Sequence, residues 1–363
     1  MKAPMQSRLL TIPRTDPRFM PHLLGSFSNE ERALPVDLLF HDTDEERITF
    51  RIVQIDAIDC PGKVMTFLTG VRPMLLLLTM GPAATSIFYA MTFGWEIEIG
   101  IAACTLMAIF FLHGAAFLMN DYCDHLSGTD RLSYLGGSRI VQRGWATAEK
   151  VKNWSWMCWV SGLMFGLPSL WLRPWPMMLF IGGTTALIVL GFSYTRRSAR
   201  YLGLDNLMVF FGMGPLLTAG TLFAVTARFG SEVLIFGAIF GFGASLCIQL
   251  RNFETMLADS QMRTRTLMSR LGLEKSKLFV MVQLFFILCL MSLFVYMETV
   301  SAIYWLVLTP VFGVAVHLGL RVWLVGSPLS SQLRGLWRQG LVLHFCLLAA
   351  CNLLFYFLYL SRT

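Results

Sequence analysis

From residue 73 onward the chain alternates long apolar runs with short polar segments. The runs fall at about 73–94, 98–119, 153–172, 175–194, 204–226, 231–252, 276–297, 302–323 and 340–360. Each is long enough, or nearly so, to carry an α-helix across a hydrocarbon layer roughly 30 Å thick. The pattern predicts an all-α polytopic membrane protein with about nine transmembrane helices. Residues 1–65 read differently: they are polar, punctuated by Pro4, Pro13, Pro17, Pro21 and Pro35, and carry the acidic run Asp42-Thr43-Asp44-Glu45-Glu46. Ile48, Phe50 and Ile52 alternate there, predicting a short strand with one apolar face. Val64, Met65, Phe67, Leu68 and Val71 then recur at helical spacing before Arg72-Pro73, which predicts a helix lying in the interface. The expected division is a cytosolic extension with an interfacial segment over 1–65 and a membrane domain over 66–363.

Composition agrees with this class. The chain is 55% hydrophobic and 14% charged, with a mean hydropathy of +0.61, a balance outside ordinary soluble domains. The net charge of +7 comes from basic residues in the short segments between apolar runs. With the N-terminus placed in the cytoplasm, 26 of the 29 Lys and Arg fall on the cytoplasmic side and only Arg173, Arg228 and Arg362 on the other. That asymmetry is the positive-inside rule, so the charge needs no nucleic-acid partner. It places the C-terminus on the opposite side. The eight cysteines lack paired spacing and read as buried thiols, neither a disulfide framework nor a zinc site. No short apolar core with a cleavage site opens the sequence, so no cleaved signal peptide is expected.

Candidate chemistry concentrates at Asn120-Asp121-Tyr122-Cys123-Asp124, where the second apolar run ends. If the helix runs on through this stretch, Asn120 and Asp124 lie four apart and Asp121 and Asp124 three apart, so their oxygens share a face. An oxygen-only cluster suits magnesium, which takes few carboxylates and completes its shell with water and phosphate oxygens. The competing reading is a solvated acidic helix end. A second polar group, Asn252, Thr255 and Asp259, has similar spacing after the sixth run, where polar residues cost little.

Two such clusters, four helices apart in a nine-helix chain, resemble the UbiA superfamily of intramembrane prenyltransferases over about residues 66–360. The most specific run is Asn120 through Gly144: Asn-Asp-Tyr-Cys-Asp, Gly128-Thr129-Asp130, and Gly136-Gly137-Ser138-Arg139-Ile140-Val141-Gln142-Arg143-Gly144. It looks like the branch that prenylates 1,4-dihydroxy-2-naphthoate. Arg72-Pro73, Tyr194-Thr195 and Gly212-Met213-Gly214-Pro215-Leu216 match as well. The resemblance implies a helical bundle around an apolar chamber, with Asn120, Asp121 and Asp124 holding magnesium against a diphosphate and Asp130 assisting. It implies Arg72, Arg139, Arg143 and Arg200 as diphosphate contacts, Arg200 at a shifted spacing. In the second motif Asn252 and Asp259 match, as catalytic and metal residues, but Thr255 replaces the first aspartate. Arg263-Thr264 stands where the family has Gly-Lys, leaving Arg263 or Arg265 to neutralise diphosphate directly.

The chemistry so implied is magnesium-dependent ionisation of an allylic isoprenoid diphosphate, followed by attack of an aromatic, quinone-precursor-like acceptor. His113 is a candidate to position that acceptor or take its proton, against the alternative of a satisfied interhelical histidine; His317 and His344 rank below it. Without an acceptor the same ionisation would make a membrane terpene cyclase. A transporter is disfavoured, because the carboxylates sit at helix ends on one side and the two halves show no clear repeat. A family member that binds isoprenoids without turnover is the remaining alternative.

Overall fold

The computed structural model describes residues 7–37, 46–132, 137–194, 203–261, 266–298 and 302–362. The first elements are β1 (Arg8–Pro13), α1 (Phe19–Leu24), β2 (Glu31–Pro35), β3 (Arg47–Gln54) and α2 (Lys63–Val71). Helices follow: α3 (Leu77–Thr92), α4 (Ile99–Ser127), α5 (Thr129–Leu132), α6 (Ala148–Leu172), α7 (Trp175–Ser193), α8 (Asp205–Met213), α9 (Pro215–Thr226) and α10 (Glu232–Glu254). The last are α11 (Met256–Gln261), α12 (Leu267–Glu298, broken at Gly272 with φ 71°), α13 (Thr309–Trp323) and α14 (Leu336–Leu360).

Among the described residues eight helical stretches are long and apolar enough to cross a membrane. The remaining expected span, the third, is present as α6, whose 25 residues begin with Glu149, Lys150 and Lys152 and are correspondingly less apolar. Helix is the form such segments take in lipid, because it satisfies every backbone polar group within the segment. At 1.5 Å per residue the 29-residue α4 is about 44 Å long, more than the hydrocarbon layer requires. Its surplus is the polar end that carries Asn120 to Ser127.

The chain forms two compact units. The first gathers Met1–Pro73, Phe111–Ser161 and Ser193–Arg196. The strand expected around Ile48 to Ile52 is there as β3, the middle of a three-stranded antiparallel sheet of order β1-β3-β2. Thr11 pairs with Thr49 on one side and Ala33 with Ile52 on the other. Those partners lie some 20 to 40 residues away in sequence, so the local alternation shows the strand and not the sheet. Ile12, Phe19, Leu23, Ala33, Ile48, Phe50 and Ile52 make a small core, and Leu126 from the end of α4 packs against it. The turn before α1 is tied by Asp16, which accepts from the Arg18 backbone N–H and guanidinium, both at 2.8 Å. These bonds hold the Asp16 carboxyl down to about 2.

The second unit gathers Met74–Phe110, Gly162–Phe192 and Arg197–Thr363. Its centre is α10, packed against α8, α9, α12 and α14. Tyr89, Phe236, Phe294 and Phe355 meet there edge-on or tilted at ring separations of 5.2–5.8 Å, the geometry that aromatic quadrupoles favour. The break between α8 and α9 at Gly214 (φ −117°, ψ −111°) sits directly on α10. A Cβ at Gly214 would strike Gly241 Cα and the Gly237 carbonyl, and one at Gly241 would strike the Phe210 carbonyl. Glycine is what lets these backbones touch. By contrast α7 turns most of its surface outward, with Trp175, Phe180 and Leu187 exposed, as a lipid-facing helix requires.

Candidate active site

The first polar cluster is built on the surplus length of α4. Asn120 and Asp124 lie one turn apart, and Asn120 Nδ2 donates to Asp124 Oδ2 at 2.9 Å. Asp121 is about 100° further round the helix and has different partners. It accepts from the Arg72 guanidinium, from the Ser138 hydroxyl, and from the Ser138 backbone N–H at 3.3 Å. Both side chains of the Arg72–Asp121 pair are nearly buried, at 10% and 5% exposure. Burying two charges is tolerable only with this degree of pairing and hydrogen bonding. Arg72 reaches Asp121 because it leaves α2 with φ 60°, and Pro73 bars the residue before it from a helical conformation. The Phe117 ring lies 4.9 Å from its guanidinium carbon. His113 also serves this junction: its Nε2 donates to the Val71 carbonyl at 3.1 Å. The interhelical tie was the alternative to an acceptor-binding role.

The segment after α4 folds back over the cluster. Gly128, in the left-handed region at φ 77°, closes the helix with its N–H on the His125 carbonyl. Asp130 is buried and accepts from the Gln142 amide, and its Oδ2 lies 3.8 Å from His125 Nδ1. Gly137, at φ 66°, stands where a Cβ would come 3.0 Å from Asp121 Oδ1, so only glycine brings the loop this close. Arg139 takes φ 63°, and its carbonyl accepts the Arg143 N–H at 3.0 Å. Arg143 is exposed, with its guanidinium 4.7 Å from the Trp145 ring centre. Asn120, Asp121, Asp124, Asp130, Arg72, Arg139 and Arg143 therefore all belong to one compact unit.

The second cluster belongs to the other unit. Thr255 breaks the run from α10 into α11, and its hydroxyl donates to Asp259 Oδ2 at 3.0 Å; Thr266 donates to the same oxygen at 3.2 Å. Asn252 Nδ2 donates at 2.9 Å to Asp205 Oδ2, and Asp205 is 1% exposed. Sequence reasoning missed Asp205, which opens α8 and lies 47 residues from its partner. Its signal was modest, an acid in the first turn of an apolar helix. Glu254, next to Thr255 in sequence, accepts from the Trp337 N–H at 2.9 Å. Arg200, Arg263, Thr264 and Arg265 lie outside the described residues.

Among the described residues no three His, Cys, Asp or Glu side chains converge into a metal cage. The donors at the two clusters are nonetheless amide, carboxylate and hydroxyl oxygens, and Cys123 points its thiol at the Ser193 carbonyl instead. That set fits a hard cation which keeps open positions for water and phosphate, and not a thiolate-loving one.

Residues 79–338 match the family model of the UbiA prenyltransferase family. The chain is 25% identical over 214 residues, 55% of its length and 68% of the relative's, to 1,4-dihydroxy-2-naphthoate octaprenyltransferase of Haemophilus influenzae. Among solved structures it resembles a UbiA homolog from Aeropyrum pernix, with a TM-score of 0.59 and 14% identity over 77% of this chain and 97% of that one. A UbiA homolog from Archaeoglobus fulgidus, solved with GPP and Mg2+, gives a TM-score of 0.55 and 13% identity over 81% and 99%.

Proposed function

Because this chain belongs to the UbiA prenyltransferase family of membrane enzymes, we propose that it moves the isoprenyl group of an allylic diphosphate onto an aromatic, quinone-precursor-like acceptor, using magnesium and releasing pyrophosphate. The observation that carries this reading is the Asn120–Asp124 oxygen pair with the arginine-bearing loop 137–143 anchored beside it on Asp121. The naphthoate-prenylating relative supports an aromatic acceptor, and the GPP and Mg2+ of the structural neighbour support the diphosphate and the metal.

Asn120 and Asp124 would hold magnesium through the amide and carboxylate oxygens, as would Asp259 with Asn252. Bound there, the metal supplies positive charge against the leaving diphosphate. Asp121 holds Arg72 in place and seats the loop through Ser138, and the Arg139 and Arg143 guanidiniums carried on that loop meet the pyrophosphate. Such fixed donors, aimed where negative charge develops, lower the barrier to ionisation. As the carbon–oxygen bond breaks, its electron pair leaves with pyrophosphate. The electron-rich ring then bonds to the allylic carbon and gives up the proton at that position. Asp205 supplies, through Asn252, a carboxylate to a motif in which Thr255 stands for an aspartate. The site opens to the cytoplasm, where the N-terminus and most of the arginines lie, and the C-terminus lies opposite.

The test is a product assay on lipid-reconstituted protein with labelled geranyl, farnesyl and geranylgeranyl diphosphates. It runs with and without magnesium, first alone and then with naphthoate- and benzoate-type phenols. Consumption that requires both metal and phenol supports transfer. Cyclic hydrocarbon or alcohol formed without a phenol would replace it by the cyclase reading, and isoprenoid bound but never consumed would replace it by a binding role.

A further inference from the structure

The first unit contains five contacts that ordinary helix packing does not require, all joining the N-terminal residues to the segment that carries Asp130, Arg139 and Arg143. Leu126 packs against the core of the sheet. The buried His125 donates through Nε2 to the Leu23 carbonyl at 3.0 Å, while its Nδ1 faces Asp130. A Cβ on Gly25 would lie 2.8 Å from the Thr147 methyl. A Cβ on Gly144 would lie equally close to Ile58 Cδ1, with Leu34 behind it. Trp145 Nε1 donates to the Asp59 carbonyl at 2.8 Å, and the same ring lies under Arg143.

These contacts hold the segment at both ends. His125 and Leu126 fix its start, and Gly144, Trp145 and Thr147 fix its finish. Among the described residues of this segment Gly128, Gly137, Arg139 and Gly144 take the left-handed region. The glycines adopt this conformation freely, whereas Arg139 holds it only where its surroundings over-determine it. The tether reaches the chemistry at two atoms: His125 carries the Leu23 carbonyl to the Asp130 carboxylate, and Trp145 carries the Asp59 carbonyl to the Arg143 guanidinium.

From this geometry we infer that the N-terminal sheet module is a clamp that sets the position of the diphosphate-binding loop, with His125 and Trp145 as its positioning residues. The inference rests on the transferase reading for the identity of the ligand, and on this structure alone for the tether. A clamp of this kind acts on substrate capture. Loosening it lets the loop sample positions in which Arg139 and Arg143 miss the phosphates, so a larger share of binding energy goes into ordering the loop. Once the substrate is seated the arrangement is the same, and turnover changes little.

The test uses full-length protein in lipid nanodiscs and the variants His125→Ala, Trp145→Phe and Gly25→Ala. Trp145→Phe keeps a smaller aromatic ring beside Arg143 and removes the tethering N–H. The first readout is amide hydrogen exchange without ligand. The clamp predicts exchange about tenfold faster across 137–146 in each variant, with α10 unchanged, as local opening would give. The second readout is steady-state kinetics with geranylgeranyl diphosphate, where KM should rise about tenfold and kcat hold within about twofold. Unchanged exchange at 137–146 in the folded variants would overturn the clamp. So would faster exchange accompanied by a loss of kcat at constant KM, because the loop would then serve the chemical step and not capture. If wild-type protein turns over no diphosphate, the transferase reading fails by itself, and the exchange measurement still decides whether the module holds the loop.

Discussion

Asp121 and Asp124 are three residues apart, equally buried, and differ in their partners. Asp121 is committed to a buried ion pair with Arg72, so Asp121→Ala strands a guanidinium and should cost about 3–5 kcal/mol of stability. Asp124, equally buried, accepts from the Asn120 amide, so Asp124→Ala should abolish magnesium-dependent turnover. Thermal unfolding of Asp121→Ala and turnover of Asp124→Ala check the two roles; an Asp121→Ala variant that melts like wild type would remove the anchor. At the second cluster, Thr255→Asp would put a carboxylate where a hydroxyl now lies 3.0 Å from Asp259. Like charges at that distance repel. The variant should melt earlier than wild type in chelator and gain more from added magnesium, because a ligand that binds only the folded state stabilises it. The first cluster was legible because its residues are helical neighbours in one motif. Asp205 and Ser138 were not, since loop closure, and not periodicity, brings them to Asn252 and Asp121.

At the scale of whole elements, the α8–α9 break against α10 is a tight backbone joint in the second unit. Gly241→Ala would push a methyl into the Phe210 carbonyl, which cannot rotate aside. Overpacking of this kind costs about 1–3 kcal/mol, so the variant should lose monodisperse protein in detergent and melt earlier. Gly166 in α6 meets nothing within 4 Å of an added Cβ, and Gly166→Ala should leave melting unchanged. The sequence shows both glycines on apolar helices and cannot rank them, because the difference lies in what the neighbouring backbone does. Helix length and place were readable from the apolar runs, and α2 from its spacing. The sheet was only half readable: β3 alternates, whereas β1 and β2 become strands by pairing with it.

Across the whole molecule, the three arginines set apart by the charge count meet one short stretch of chain. Arg173 donates to the carbonyls of Ala224 and Val225 and pairs with Glu98 at 2.7 Å. Arg228 lies 5.7 Å from the Trp95 ring, and Arg362 lies 4.1 Å from that of Phe93. With the N-terminus in the cytoplasm and an odd number of crossings, residues 93–98 are predicted to face the other side. Vesicles of defined sidedness check it. Exposed Cys60 should react with an impermeant maleimide only from the cytoplasmic face, and a Ser361→Cys thiol only from the other. Labelling of both from one side would remove a helix from the count.

The bond between His125 and the Leu23 carbonyl also orders events during synthesis. Its two ends are 102 residues apart, and at about 5–20 residues per second the donor emerges roughly 5–20 s after the acceptor. The sheet core has few members and leans on Leu126, so it stays incomplete on the ribosome until α4 has been made. Nascent chains stalled before residue 126 should expose the sheet region to protease, and chains stalled far enough past residue 147 to release it from the ribosome should protect it.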